Sequence, residues 1–169
     1  IFYTSTDGNI VEPYDPAAFG ANIVSNTYEY GQGVITFDGD VTSVGKFAFQ
    51  ECENLQSINL PDGVTTIGEV SFYKCGNLIS VNVPNSVTSI GRLAFSDCSN
   101  LISINIPDGV TSIGDTAFAY CNSLTSVNIP NNVTKIESMT FFFCGGLTDV
   151  TIPNGVTSIG AMAFQDCVS

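Results

Sequence analysis

The six cysteines of the chain recur at one fixed interval, and this interval is the strongest constraint on its fold. Successive cysteines lie 23 residues apart, and phenylalanine, leucine and proline positions keep the same step. The unit reads V-T-S-I-G-x-x-A-F-x-x-C-x-N-L-x-S-I-x-I-P-x-G. Because a unit this short cannot bury an apolar face alone, successive units must stack into a solenoid. The cysteines are Cys52, Cys75, Cys98, Cys121, Cys144 and Cys167.

Each unit contains one short strand and one compact turn. In L-x-S-I-x-I, apolar and polar residues alternate, which predicts a half-buried strand, and Pro61 ends the first such strand. In A-F-x-x-C, Phe and Cys lie three residues apart and share one face, which predicts a tight helical or 3-10 turn. The predicted fold is therefore a leucine-rich repeat solenoid of 23-residue units, with short parallel strands and helical or 3-10 turns.

The complete unit resembles the BspA-like, or treponemal-type, leucine-rich repeats. The resemblance covers residues 33–169, and residues 1–45 also resemble the lead-in of such proteins from gut bacteria. It implies a secreted or cell-surface location, largely in anaerobic bacteria. It further implies protein–protein interaction or adhesion to host matrix.

The repeat pattern divides the chain into a cap and a solenoid. Residues 1–32 do not repeat, and we expect a β-rich N-terminal cap with a hairpin around Asp7-Gly8-Asn9. The solenoid spans 33–169, with a partial lead-in strand at 33–38, five full repeats at 41–155 and a truncated sixth at 156–169. We interpret the truncated repeat as a sign of an excerpt from a longer protein. An open strand edge there invites self-association.

The charge balance excludes two classes of partner. The chain has 16 acidic and 4 basic residues, a formal net charge of −12. Such a chain repels phosphate backbones and anionic membranes, so we expect no nucleic-acid binding and no electrostatic membrane docking. No stretch reaches the roughly 20 apolar residues of a membrane span, so we expect no membrane insertion.

Catalysis and cofactor binding find little support in the composition. The chain has no histidine, and its acids scatter over different repeat positions rather than pairing as in glycosidases. We predict no enzyme, no catalytic residue, no cofactor and no metal. Six acids among residues 1–40 are interpreted as a solvated cap; the alternative, a calcium site at Asp38 and Asp40, lacks EF-hand spacing.

Two columns of small residues carry structural predictions. The cysteines stack in one column, whose spacing suits neither disulfides nor zinc, so we expect buried free thiols. A glycine column is interrupted once, by Glu137, which indicates that its backbone is not restricted to conformations that only glycine adopts. The glycines are Gly45, Gly68, Gly91, Gly114 and Gly160.

The outward strand positions form two polar columns and are the first candidate binding surface. This face resembles the usual ligand surface of leucine-rich repeat proteins. The alternative is a purely structural template in which asparagine ladders add hydrogen bonds. The candidates are Ser57, Asn59, Ser80, Asn82, Ser103, Asn105, Ser126, Asn128, Asp149 and Thr151.

A second candidate surface consists of aromatic residues. Phe142 and Phe143 fill positions that hold mostly small or charged residues in other repeats, and they lie beside Tyr120, with Tyr73 further along. Exposed aromatic side chains often mark an interface. The alternative is drift, or partial burial under a neighbouring coil.

The leading functional prediction is an adhesin-like, secreted or cell-surface module that binds a protein, such as a host extracellular matrix or mucosal protein. One alternative is a structural spacer or assembly element of a larger surface protein. Another is a glycan-binding module.

Overall fold

The computed structural model describes residues 1–167, and the chain forms a solenoid of stacked coils behind an N-terminal cap. We number the coils by their phenylalanines, from coil 1 with Phe49 to coil 6 with Phe164. The cap strands are β1 (Phe2–Ser5), β2 (Ile23–Glu29) and β3 (Gln32–Phe37). The coils contribute β4 (Ser43–Val44), β5 (Leu55–Asn59), β6 (Thr66–Ile67), β7 (Ser80–Asn82), β8 (Ser89–Ile90), β9 (Ser103–Ile104), β10 (Ser112–Ile113), β11 (Ser126–Asn128), β12 (Lys135–Ile136), β13 (Asp149–Thr151) and β14 (Ser158–Ile159).

One large sheet runs the length of the solenoid in the order β13-β11-β9-β7-β5-β1-β3-β2. Its repeat strands are parallel and in register, so that Ser57 lies opposite Ser80 and Asn59 opposite Asn82. Ile58 is buried between those outward positions. The predicted parallel-stranded solenoid of 23-residue units is confirmed.

A second set of strands lies on another side of each coil, and we call it the narrow ladder. It consists of β4, β6, β8 and β10 in one four-stranded sheet, followed by a separate pair, β12 and β14. Along it, the Gly68 N–H donates to the Val44 carbonyl at 2.7 Å. The ladder is therefore interrupted between coils 4 and 5.

The predicted helical or 3-10 turn is wrong, because no helix occurs in residues 1–167. In the A-F-x-x-C segment, alternate N–H groups donate to the next coil, as Phe49 does to Ser71 O and Glu51 to Tyr73 O, both at 2.7 Å. Phe47 and Glu51 adopt positive φ values of 64° and 57°, which a 3-10 helix excludes. The intervening N–H groups close local turns, as Gln50 does to Phe47 O at 3.2 Å, so the segment alternates local bonds with bonds between coils.

The core is built around a column of phenylalanine rings. Successive rings stack with centroids 5.1–5.5 Å apart and interplanar angles of 3–11°. The column consists of Phe49, Phe72, Phe95, Phe118, Phe141 and Phe164. Each coil thus buries its ring against its neighbours, as the requirement for stacking predicts.

The cap differs from its predicted form in two respects. The hairpin expected around Asp7-Gly8-Asn9 is wrong, because β1 pairs antiparallel with both β5 and β3. The cap hairpin is instead formed by β2 and β3, and Tyr30 and Gly31 at its tip have φ values of 52° and 84°. The lead-in strand expected at 33–38 is present as β3, but its expected pairing as a repeat strand is wrong, because β3 is antiparallel and β1 separates it from coil 1.

The cap also continues the core of the solenoid. Phe19 packs edge-on against Phe49 with centroids 5.5 Å apart. The Gly45 N–H donates to the Ala18 carbonyl at 2.6 Å, as later glycines donate to the preceding coil. The pair Ala18-Phe19 therefore offers coil 1 much of the contact that a preceding coil would.

Candidate binding surface

The alternation of each strand places the predicted polar columns on the outside of the large sheet. Nine of the ten candidate residues are exposed, and Ser57 is half-buried. Ser57 and Thr4 of the cap strand share a hydrogen bond between their hydroxyls, 2.7 Å long. The cap therefore covers the first polar position and leaves the columns of coils 2 to 5 open to solvent.

The asparagine column does not form the hydrogen-bonded ladder that the structural-template alternative adds to the sheet. Within residues 1–167, the side chains of its four members make no hydrogen bond to protein. They are Asn59, Asn82, Asn105 and Asn128. An asparagine ladder step does occur elsewhere, where the Asn100 amide donates to Asn77 Oδ1 at 3.2 Å. The outward amides are therefore available to a ligand.

Two isoleucines on this face were missed by the sequence reasoning. Ile79 is 37% exposed and Ile102 is 50% exposed, each immediately before a strand. They lie in consecutive coils, because the Ile102 N–H donates to the Ile79 carbonyl at 3.2 Å. The same position holds Gln56, Thr125 and Thr148 in the other repeats, and this departure from a polar pattern was the available signal. We call Ile79 and Ile102 the isoleucine pair.

The large sheet face, meaning the polar columns together with the isoleucine pair, is nearly free of charge. Asp149 is the only charged member. The basic side chains form ion pairs elsewhere: Glu69 lies 3.1 Å from Lys46 and 3.2 Å from Arg92, beside the narrow ladder. A partner that covers the sheet face therefore desolvates few charges.

The predicted aromatic patch is only partly assembled. The Tyr120 ring lies 5.6 Å from Phe142 and 5.5 Å from Phe143, and the two phenylalanine rings are 4.7 Å apart. Tyr120 is 40% exposed, Phe143 is 43% exposed and Phe142 is half-buried. We call these three residues the aromatic cluster. Tyr73 lies two coils from Tyr120, and its ring faces the Lys74 ammonium at 5.2 Å.

The cysteine column consists of free thiols, as predicted. The thiols of coils 2 to 6 each donate to a carbonyl of the preceding coil; Cys98 Sγ, for example, lies 3.1 Å from Phe72 O. Cys52 finds its acceptor in the cap, at Glu12 O. Burial raises the pKa of the Cys52 and Cys144 thiols to about 12. These thiols stay protonated at neutral pH and are poor nucleophiles.

The acids of the cap do not gather around a common point. The Asp38 carboxylate accepts two hydrogen bonds from Asn22, both 2.8 Å long, and these bonds lower the pKa of Asp38. Residues 1–167 contain no group of three or more His, Cys, Asp or Glu side chains that could hold a metal ion. In the same range, no helix has the length and hydrophobicity to cross a membrane.

Stacked parallel strands, repeat carbonyl–thiol bonds and one open sheet face define a leucine-rich repeat solenoid. The chain belongs to the BspA-type leucine-rich repeat family, whose family model matches residues 42–169 in six copies. No curated protein matches the chain.

Three solved structures illustrate the relationship. A leucine-rich repeat protein of T. pallidum has 28% identity and a TM-score of 0.66, over 78% of this chain and 72% of its own. A leucine-rich cell surface protein of Faecalibacterium prausnitzii has 33% identity and a TM-score of 0.67, over 84% of this chain and 43% of its own. A Bacteroides ovatus leucine-rich repeat protein has 28% identity and a TM-score of 0.55. The match covers 67% of this chain and only 35% of that protein.

Proposed function

We propose that the chain is a protein-binding module of a secreted or surface-displayed bacterial protein, and that it binds through the large sheet face. The isoleucine pair is the observation that carries this proposal. Two adjacent exposed apolar side chains stand in a column that is otherwise polar, next to the exposed serine column. Exposed apolar side chains beside groups that can form hydrogen bonds are typical of protein interfaces.

The dimensions of the face suit a protein partner rather than a small molecule. Five parallel strands at about 4.8 Å spacing give a surface about 20 Å across along the solenoid axis. A narrow strip of this length suits a protein interface at the small end of the usual size range. Because this face carries almost no charge, we expect contact through hydrogen bonds and apolar packing. The acidic residues that give the chain its net charge of −12 lie mostly outside the face and do not repel a partner bound there.

A host extracellular matrix or mucosal protein is the partner class that we propose. The family assignment supports this choice, as does the F. prausnitzii neighbour, which is described as a cell surface protein. We also propose that the module has no catalytic activity. Hydrolysis of a common polysaccharide, abolished by one carboxylate substitution, would contradict that part.

The test is a pull-down from matrix and mucosal proteins at physiological salt with the immobilised chain. Ile79→Thr/Ile102→Thr introduces threonine, which another repeat already carries at this position as Thr125. The fold should therefore survive, and circular dichroism checks that it does. A second variant replaces Asn59, Asn82, Asn105 and Asn128 with Lys. Phe142→Ser/Phe143→Asp is the control, because it changes the aromatic cluster and no residue of the large sheet face. The proposal is supported if a partner is captured by the natural chain and the control but not by the first two variants. It is contradicted if all the proteins capture the partner equally.

Glycan binding at the aromatic cluster is a second candidate. Its supporting observation is the exposure of Tyr120 and Phe143, since sugar rings stack on exposed aromatic faces. Titration with a panel of mucin and plant glycans tests it. The NMR chemical shifts of the ring protons in the aromatic cluster report the binding. Binding that persists in the Phe142→Ser/Phe143→Asp variant would contradict this candidate.

Assembly is a third candidate, favoured by the uniformity of the serine and asparagine columns from one repeat to the next, since a specific binding face usually varies between repeats. Sedimentation over a range of concentrations tests it. Mass that rises with concentration supports assembly, and a constant monomer contradicts it.

A further inference from the structure

The narrow ladder is broken at one junction, between coils 4 and 5. At the preceding junction, the N–H groups of Thr111 and Gly114 donate to Thr88 O and Ile90 O, both at 2.9 Å. At the junction of coils 4 and 5, the corresponding donors belong to Thr134 and Glu137. Within residues 1–167, neither bonds to a carbonyl of coil 4. The ladder then resumes between coils 5 and 6, where the Gly160 N–H donates to Ile136 O at 2.7 Å.

The cause of the break is the side chain of Glu137 in the glycine column. At a regular junction the backbones are so close that a Cβ added to Gly114 would lie 2.5 Å from Arg92 N and 2.7 Å from Gly91 C. Cβ atoms do not approach that closely, so a residue with a side chain cannot complete the ladder. Glu137 brings a Cβ to this position, and coil 5 stands away from coil 4 on this side.

The column glycines are therefore needed for close approach, not for unusual backbone angles. None of the five has a φ in the left-handed region, and neither does Glu137. This agrees with the interpretation drawn from the sequence. Glycine is required because a Cβ atom would collide with the backbone of the neighbouring coil. At Glu137, the one exception, the hydrogen bonds of the ladder are lost.

A shallow, open depression of about 350 Å³ lies along the narrow ladder and includes the break. Its lining runs from Ile90 and Arg92 of coil 3, past Ser112 and Asp115 of coil 4, to Glu137 of coil 5. Glu137 turns its carboxylate toward the Lys135 ammonium, 2.6 Å away. The depression gives water access to backbone groups that the ladder would otherwise pair.

The other two sides of the same junction remain fastened. In the large sheet, Val127 pairs with Val150 in the regular register. In the turn segment, the Tyr120 N–H donates to Phe142 O at 2.8 Å. The aromatic cluster spans these same two coils, since Tyr120 belongs to coil 4 and both phenylalanines belong to coil 5. Loss of contact on one side thus coincides with added contact on another.

We propose that the junction of coils 4 and 5 is a hinge in the solenoid, opened by Glu137 and held by the aromatic cluster. Coils 5 and 6 rock against coils 1 to 4 by widening and narrowing the gap in the narrow ladder. The large sheet and the aromatic cluster act as the axis. Both departures from the repeat pattern occur in the fifth unit, because the cluster stabilises the junction that Glu137 weakens. This inference stands independently of the binding function.

Spin labels on the full chain test the hinge by distance measurement. Thr65→Cys with Thr157→Cys places labels four coils apart along the narrow ladder, about 19 Å in backbone spacing. Asn59→Cys with Thr151→Cys also spans four coil steps across the same junction, from coil 1 to coil 5, on the large sheet. The buried native thiols resist labelling, and the half-buried Cys167 is replaced by Ala.

Three substitutions at the hinge separate steric from electrostatic causes. Glu137→Gly should narrow and shorten the Thr65–Thr157 distance distribution, whereas Glu137→Gln and Glu137→Ala keep a Cβ and should leave it broad. The Asn59–Thr151 distribution should not change. A Thr65–Thr157 distribution unaffected by Glu137→Gly, or narrowed equally by Glu137→Gln, would overturn the hinge.

The role of the aromatic cluster has its own test in the same labelled chains. Phe142→Ser/Phe143→Asp should broaden the Thr65–Thr157 distribution in the natural background and have a much smaller effect together with Glu137→Gly. Serine and aspartate occur at the same positions in coil 3, so the fold should survive. An equal effect in both backgrounds, or none in either, would overturn the assignment of the cluster as the hinge axis.

Discussion

Phe19 of the cap packs edge-on against Phe49 of coil 1, and the two ring centroids lie 5.5 Å apart. Both rings are fully buried. Every ring between Phe49 and Phe141 stacks nearly parallel to its neighbours, so this edge-on contact marks the place where the cap meets the repeat. The stability of the first coil should therefore depend on a ring outside the repeats.

Phe19→Ala should destabilise the chain by about 3–5 kcal/mol, the usual cost of removing a buried phenylalanine. Phe95→Ala, in the middle of the column, should cost a similar amount. Chemical denaturation followed by far-ultraviolet circular dichroism measures both. Tyr14→Ala is the control, because Tyr14 is exposed. A Phe19→Ala midpoint no lower than that of the control would contradict the role of the cap.

Ser71→Ala should stabilise the chain by about 1 kcal/mol. The Ser71 hydroxyl is buried and has no hydrogen-bond partner in residues 1–167, and an unsatisfied buried hydroxyl is costly. Alanine occupies the same position in coils 1, 3, 4 and 6. Thr140→Ala is the matched comparison, because the Thr140 hydroxyl donates to Glu137 O at 2.8 Å and its removal should destabilise. Thermal unfolding of both variants checks this, and a lower midpoint for Ser71→Ala would be the contrary result.

Gly91→Ala should be strongly destabilising, by about 2 kcal/mol or more, through overpacking. Its Cβ would lie 2.6 Å from Glu69 N and 2.7 Å from Gly68 C. Gly76→Ala is the control, since the nearest atom to its Cβ is Ser99 Oγ at 3.9 Å. Urea denaturation of the two variants should separate them clearly. Equal midpoints would contradict the requirement for close contact between coils at the glycine column.

Stability should fall in alkaline solution. Burial raises the pKa of the Cys52 and Cys144 thiols to about 12, whereas unfolded cysteine titrates near pH 8.5. The unfolded chain therefore loses protons first, and the contribution of these groups is complete below about pH 8.5 and is lost as the pH rises toward 12. The slope is about 1.4 kcal/mol per pH unit for each such thiol.

Denaturation midpoints between pH 7 and pH 10.5 measure this loss. Cys52→Ala/Cys144→Ala should reduce the slope above pH 9 while lowering stability at neutral pH through lost packing. Lysine and tyrosine titration contributes equally to both proteins and cancels in the comparison. Identical slopes for the variant and the natural chain would contradict the prediction.

The repeat period was enough to predict the solenoid, the parallel strands and the free thiols, because stacking of equal units leaves few alternatives. It did not predict the turn segment. Phe49 and Cys52 face the core both in a helical turn and in the observed turn segment, so their spacing does not distinguish the two conformations. The deciding interactions are bonds between coils, such as Phe49 N–H to Ser71 O, which no local pattern contains.

The cap and the sheet face show the same limit. β1 pairs with a strand some 50 residues later, through Thr4 and Ser57, and turn residues near Gly8 carry no sign of that partner. On the sheet face, alternation correctly predicted the exposed Ser and Asn positions. It passed over Ile79, because this residue precedes its strand and alternation does not assign it a side. Whether these residues bind a partner stays a prediction.

The glycine column also bears on how such a chain can grow. Coils 1 to 4 meet through one repeated contact, in which a glycine rests against the backbone of the unit before it. A duplicated copy of any of these units would find its neighbour already shaped to receive it. A copy of the fifth unit would carry Glu137 with it and open a second gap. Gene duplication can thus lengthen the stiff part of this protein freely, whereas each copy of the fifth unit would add a joint.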